Sequence, residues 1–156
     1  MSGVIGVSPN MNTGVIGKYP VGHVIQIVNG IYSTEKITTS SSFATINSAL
    51  EPSITVTGSN KVFVMCSVPV YSTSDGHGLV IQIFRGSTAL GDTNWGFGLK
   101  VTSAGAGNGA AMAASVLDTP GAGTHTYKLQ HRQTSSSGYS CINSSTATIT
   151  LMEISA

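Results

Sequence analysis

The residues of this chain that could do chemistry are few and far apart. Six carboxylates, Glu35, Glu51, Asp75, Asp92, Asp118 and Glu153, are scattered along 156 residues, and no two are spaced to pair an acid with a base. Serine is abundant, but no Gly-x-Ser-x-Gly elbow is present to expose a nucleophile. Gly105, Gly107 and Gly109 lack the glycine spacing of a dinucleotide loop and follow no convincing βα unit. His125 and His131 share one side of a strand pattern, where ~3.3 Å per residue puts them roughly 20 Å apart, too far to share a metal. His77 beside Asp75 reads as a solvated turn in preference to a cation site. Cys66 and Cys141 lack Cys-x-x-Cys spacing, which leaves zinc unsupported. A disulfide is open to them, but two reduced, packed thiols suit a chain folded in cytoplasm better. Asn143 opens an Asn-x-Ser sequon, a pattern that a Ser-rich chain produces by chance. The expectation is a non-enzymatic protein with no catalytic residue, no metal and no cofactor.

Charge narrows the partners. Lys plus Arg number 7 and Asp plus Glu 6, so charged residues are 8% of the chain, against about 25% in an ordinary domain. That excludes an electrostatic nucleic-acid binder, a polybasic membrane sensor and a highly charged disordered chain. The apolar run 62–70 is broken by Ser67 and Pro69 and falls far short of the ~18 residues of a membrane span. No basic region marks the first residues as a signal peptide. In place of charge stand 22 Ser, 18 Thr and 19 Gly. These solvate a surface but repel neighbours little, and a net charge of +1 favours association. A permanent assembly is the preferred setting.

The elements that must position these residues are strands. Across 61–71, Val62, Val64, Cys66, Val68 and Val70 recur at spacing two, with Phe63 and Met65 on the other face. A strand apolar on both faces is expected in mid-sheet, covered on both sides, and Pro69 should end its central pairing. The run 79–85 sets Leu79, Ile81 and Ile83 against Val80, Gln82 and Phe84. In 124–132, Tyr127 and Leu129 point inward while Lys128, Gln130 and Arg132 point out. The run 146–154 sets Ala147, Ile149 and Leu151 against Thr148 and Thr150. Shorter strands are expected at 24–28, 54–56 and 95–101. Turns fall at 74–76, at 85–87, and at Thr119-Pro120-Gly121, a type II candidate with Pro before Gly. The one helix candidate, 110–117, is better read as loop and strand after so many glycines. This punctuation indicates an all-β sandwich or jelly roll.

Two features remain. Gly3-Val4-Ile5-Gly6 with Pro9 recurs as Gly14-Val15-Ile16-Gly17 with Pro20, a period of eleven. Residues 1–20 are therefore expected to be an extended arm, with 21–156 the sandwich domain, and Val4, Ile5, Val15, Ile16 and Tyr19 are its candidate partner contacts. Trp95 and Phe97 alternate after Asn94. Core packing is their plainer reading; with Phe63 and Met65 they are also candidate subunit contacts, and a carbohydrate-stacking platform is a further option.

Several stretches resemble, as a set, a virion structural module of tailed phages. They are Val24-Ile25-Gln26-Ile27-Val28, Ser40-Ser41-Ser42-Phe43, 50–56 leading into 59–64, and 84–92. The later ones are Leu117-Asp118-Thr119-Pro120-Gly121, His125-Thr126-Tyr127-Lys128-Leu129-Gln130 and Ile149-Thr150-Leu151-Met152-Glu153-Ile154. The resemblance spans roughly 21–154 and is to modules of the C1q and tumour-necrosis-factor type, found in cyanophage-type decoration proteins and tail-fibre heads. It implies a jelly roll, a homotrimer around a threefold axis, and a virion location after synthesis in host cytoplasm. With no fibre shaft in the chain, the expected role is a capsid decoration or cement protein contacting the major capsid protein. The alternatives are a small tail or fibre component with a receptor-binding role, then a non-viral C1q-like binding module.

Overall fold

The computed structural model describes residues 20–72, 78–97, 101–102, 108–134, 140–142 and 145–156. The turn expected at 74–76, His77, Asn143 and the arm residues Val4, Ile5, Val15, Ile16 and Tyr19 lie outside them. The strands are β1 (Val24–Tyr32), β2 (Lys36–Thr38), β3 (Ala44–Thr45), β4 (Ser53–Val56), β5 (Lys61–Ser72), β6 (Gly78–Arg85), β7 (Thr88–Ala89), β8 (Val101–Thr102), β9 (Asn108–Asp118), β10 (Gly123–Gln133), β11 (Ser140–Ile142) and β12 (Ala147–Ile154). A single 3-10 turn at Ser48–Leu50 is the helical element among the described residues, and the 110–117 segment is strand, as its flanking glycines indicated.

Two antiparallel sheets face each other. The first runs β1-β12-β5 and then branches, with β9 along β5 and the short β11 and β2 continuing past one end. The second is built on β10 and β6. β4 and β3 pair in succession along β10 and act as one interrupted edge strand. β7 and β8 do the same along β6. Counting each interrupted strand once, with β2 continuing β1 and β11 continuing β12, gives eight among the described residues, in which the first, eighth, third and sixth form one sheet and the second, seventh, fourth and fifth the other. That winding is a jelly roll.

Alternation builds the core. Val62, Val64, Cys66, Val68 and Val70 of β5 are all buried, as are Ala147, Ile149 and Leu151 of β12, and they meet Leu79, Ile81 and Ile83 of β6 and Tyr127 and Leu129 of β10 in one cluster. Pro69 falls in the gap where β5 leaves β12, whose pairing ends at Ser67, and takes up β11, whose pairing begins at Val70. Its missing N–H therefore costs the ladder nothing on that side. Contrary to expectation, Pro69 does not end the strand's central pairing, which runs along β9 through Pro69, opposite Ala111, to Ser72. Asn47 caps the 3-10 turn by accepting from the Ala49 N–H at 2.9 Å, which seats the fully buried Leu50. The turn lies so close to β1 that a Cβ on Gly30 would stand 2.5 Å from the Ala49 carbonyl oxygen. Gly121 takes φ +79, as the type II turn requires.

Buried polar groups tie the sheets together. Asp118, facing inward from the end of β9, takes Arg85 at 2.6 Å and the Tyr127 hydroxyl at 2.7 Å. Burial, reinforced by Asp118, raises the Tyr127 hydroxyl well above its ordinary range. At the same end Glu153 accepts from the Thr57 N–H, Asn60 and Gln26 at 2.9, 2.8 and 2.6 Å. Burial pushes its carboxyl up, and those hydrogen bonds together bring it below the usual value.

Two further expectations need correction. Residues 95–97 of the expected 95–101 strand are not extended: Trp95 sits in a tight turn closed by the Asp92–Gly96 bridge and Phe97 follows it, while Val101 belongs to β8. The reason is local. Asp92 accepts the N–H groups of Asn94 and Trp95 at 2.9 and 2.7 Å, an Asx-type turn that competes with extension. Secondly, β5 is central but the described residues cover only one of its faces, since Met65 remains 42% exposed.

Candidate functional site

The side chains that point away from the core divide into two unlike surfaces. On the first sheet, register places Ile27 of β1 opposite Met152 of β12, Met152 opposite Phe63 of β5, and Phe63 opposite Leu117 of β9. Four apolar side chains thus form one row across four strands, about 14 Å from end to end. Ile27 is 58% and Leu117 53% exposed. The next rows carry Asn29, Thr150, Met65 and Ser115, then Ile31, Thr148, Ser67 and Ala113. Lys61, at one end, is the charged side chain among these outward positions of β5 and β12. Beside Met65 the small residues Ala113 and Ser115 leave an open depression of about 240 Å³.

The same sheet ends in two different edges. The 3-10 turn shields β1, and Gln26 reaches from it to the Thr55 carbonyl at 2.7 Å. Among the described residues β9 pairs only with β5, so its other edge offers eleven residues of backbone with no charged side chain before Asp118. Long uncharged edges of this kind are templates for pairing with another chain.

The second sheet presents hydroxyls, cations and aromatics. Ser53 and Thr126 share a hydrogen bond of 2.7 Å, and Thr55 and Thr124 one of 2.9 Å. Val80 and Gln82, outward on β6, are nonetheless fully buried, because the 91–96 segment folds over them. Gln82 donates to the Asp92 carbonyl at 2.7 Å and accepts the Gly91 N–H at 3.1 Å. Gly96, at φ +55, passes so close to β6 that a Cβ would lie 2.2 Å from the Ile81 carbonyl oxygen. The turn is thereby fixed, and it holds Trp95 over the Arg132 guanidinium at 5.7 Å. Arg132 also stacks on Phe43 at 5.4 Å and donates its Nε and Nη2 to the Asn94 carbonyl. Phe43 in turn meets Phe84 edge-on at 5.8 Å, and Phe84 stands opposite Lys128.

The four sequence-derived subunit candidates do not form one surface. Phe63 and Met65 belong to the first sheet's outer face. Trp95, 52% exposed, stands on the second, and Phe97 packs partly buried against the core. Ile27, Leu117 and Met152 escaped notice because each lies on a different strand, and only register aligns them. Of the histidines, His125 contacts the Gly121 carbonyl at 3.0 Å. His131 is buried, with no hydrogen-bond partner for its Nδ1 among the described residues, and burial, then the charge of Lys36, lowers it to about 4. Cys66 is a free thiol that burial pushes up to about 11. No group of three His, Cys, Asp or Glu among the described residues could hold a metal, and no helix there is long and apolar enough to cross a membrane.

No family model matches the chain, and no curated protein does. Among solved structures, a chain from the structure of infectious bursal disease virus, Gx strain, is similar over 99% of this chain and 43% of its own length, with 10% identity and a TM-score of 0.44. This chain therefore spans less than half of that one. Function has to be argued from its own residues.

Proposed function

We propose that this protein is a virion structural module, a homotrimeric capsid decoration protein whose subunits meet through the outer face of the first sheet. The observation that carries the assembly is the row Ile27, Met152, Phe63 and Leu117 on a nearly uncharged sheet face. A face of this kind gains by being removed from water, at about 25 cal/mol for each Å² of apolar surface. With so little charge it can meet a copy of itself without like-charge repulsion. The open β9 edge adjoins that face and the depression beside Met65 offers a socket, so both support the same contact. The virion setting is supported by the resemblance of 21–154 to phage modules and by the jelly-roll winding. The arm, through Val4, Ile5, Val15, Ile16 and Tyr19, is proposed to grip the major capsid protein, with three arms per trimer making the attachment slow to release.

Light scattering should give three times the 15.9 kDa chain mass; a monodisperse monomer at micromolar concentration would refute the assembly. Deleting residues 1–20 should leave a soluble trimer that no longer joins particles, and full occupancy by the truncated protein would rule the arm out as anchor. A second reading, a small tail or fibre component that binds a host receptor, draws on the exposed aromatics of the second sheet. Copy number per particle separates the two: hundreds for a decoration protein, a few multiples of three for a tail component.

A further inference from the structure

From the second sheet's outer face we infer a binding site for an acidic carbohydrate, a sugar chain carrying carboxylate or sulfate groups. Five side chains form a continuous strip there. Lys128 stands opposite Phe84, Phe84 meets Phe43 at 5.8 Å, Arg132 stacks on Phe43 at 5.4 Å, and Trp95 covers Arg132 at 5.7 Å. Aromatics thus lie between and beyond the two cations of the strip, with Lys128 and Arg132 about 13 Å apart along β10. Hydroxyls of Ser53, Thr55, Thr124 and Thr126 continue the face towards the other end of β10.

Three properties select the ligand. First, the strip is rigid: Asp92 holds the Asn94 and Trp95 N–H groups, Gly96 locks the turn against β6, and the Asn94 carbonyl receives Arg132. A Trp held still with 52% of its surface in solvent is a platform for the C–H face of a sugar ring, and its ordering cost is already met by the fold. Secondly, the charges of the strip itself are both positive, on Lys128 and Arg132. Asp92, in the turn beside it, stays ionised because the Trp95 and Asn94 N–H groups hold its carboxyl below the usual range, and its Oδ1 is taken up by those donors. Thirdly, the charge is sparse. A nucleic-acid strand presents a phosphate about every 3.4 Å, far denser than two cations about 13 Å apart, whereas an acidic sugar chain spaces its charges by whole rings. The inference does not depend on the trimer or on the virion reading, since the strip lies within one chain.

The test uses the full chain on a glycan array carrying uronate, sialylated and sulfated sugars beside neutral ones, with titration of each hit by the free oligosaccharide. Binding confined to acidic sugars is expected, weakened about tenfold in Trp95→Ala and recovered in Trp95→Phe. Lys128→Gln should erase the preference for acidic over neutral sugars, and this solvent-facing change keeps the test valid if Trp95→Ala does not fold. No acidic hit, equal binding of Trp95→Ala with its far-ultraviolet dichroism unchanged, or tighter binding of oligo-dT than of any sugar would overturn the site.

Discussion

The outer faces of the two sheets share a backbone plan and differ in almost everything else. Both lie over the same core, and both are centred on long antiparallel strands. Yet the first sheet turns Ile27, Met152, Phe63 and Leu117 outward, while the second turns out Lys128, Gln130 and Arg132 with a fringe of hydroxyls. Burial inside the sandwich uses only one face of each strand, so the other is free to carry a separate instruction. An apolar row favours removal from water, and a row of cations and hydroxyls favours staying in it. The contrast fits the proposed assembly at the first face and the proposed ligand at the second.

The most forceful way to break this contrast is to put a charge in the apolar row. Phe63→Asp should turn the proposed trimer into folded monomers, because a carboxylate buried there without a partner costs several kcal/mol per subunit. The matched change Gln130→Asp, on the second face, should leave the mass unaltered. If light scattering shows both variants still trimeric, the first face is not the contact.

Acid probes what lies beneath the second face. His131 titrates near 4 when folded and near 6.5 when unfolded. A depressed folded value means that the unfolded chain takes up the proton first. The associated stability is therefore complete above about pH 6.5 and drains away as pH falls towards 4, by about 3 kcal/mol. Urea titrations across that range should show the loss, and His131→Leu should flatten it, since the Nδ1 has no hydrogen bond among the described residues to forfeit. An unchanged slope in that variant would place the acid sensitivity elsewhere.

Smaller effects sharpen the picture of how the sheets are held. Asp118→Ala leaves Arg85 and the Tyr127 hydroxyl without their acceptor. It should lower the unfolding free energy by about 2 kcal/mol, read as an earlier urea midpoint at constant slope. Cys66, with its thiol raised from 9.0 to about 11, should react with a disulfide reagent at pH 8 about a hundredfold more slowly than an unperturbed thiol. The denatured, unreduced chain should titrate two thiols; finding none would contradict the free Cys66.

Much of the fold was legible because strand alternation has period two and survives in one dimension. The inward series Val62 to Val70, Tyr127 with Leu129, and Ala147 to Leu151 all land in the core as their spacing indicates. The turn at 119–121 was legible for the same reason, since proline and glycine act through their own dihedral angles. Trp95 and Phe97 misled because their spacing mimics a strand, while the Asp92 side chain, binding backbone two and three residues on, bends the chain into a turn. The 3-10 turn at Ser48–Leu50 was missed because three residues are too few to show a period.

What the sequence determined by itself is the set of local preferences: an all-β chain, sparse in charge, with at least one apolar face on each long strand and glycines where the backbone must turn. The tertiary structure alone decided which outward residues become neighbours. Ile27, Phe63, Leu117 and Met152 come from four strands separated by up to 125 positions, and Phe43, Phe84, Trp95 and the β10 pair Lys128 and Arg132 from four separate places in the chain. The physical reason is that hydrogen-bond register across a sheet is set by closing the jelly roll around a shared core. No segment carries that information alone, because a one-residue slip in any strand would exchange its inner and outer faces.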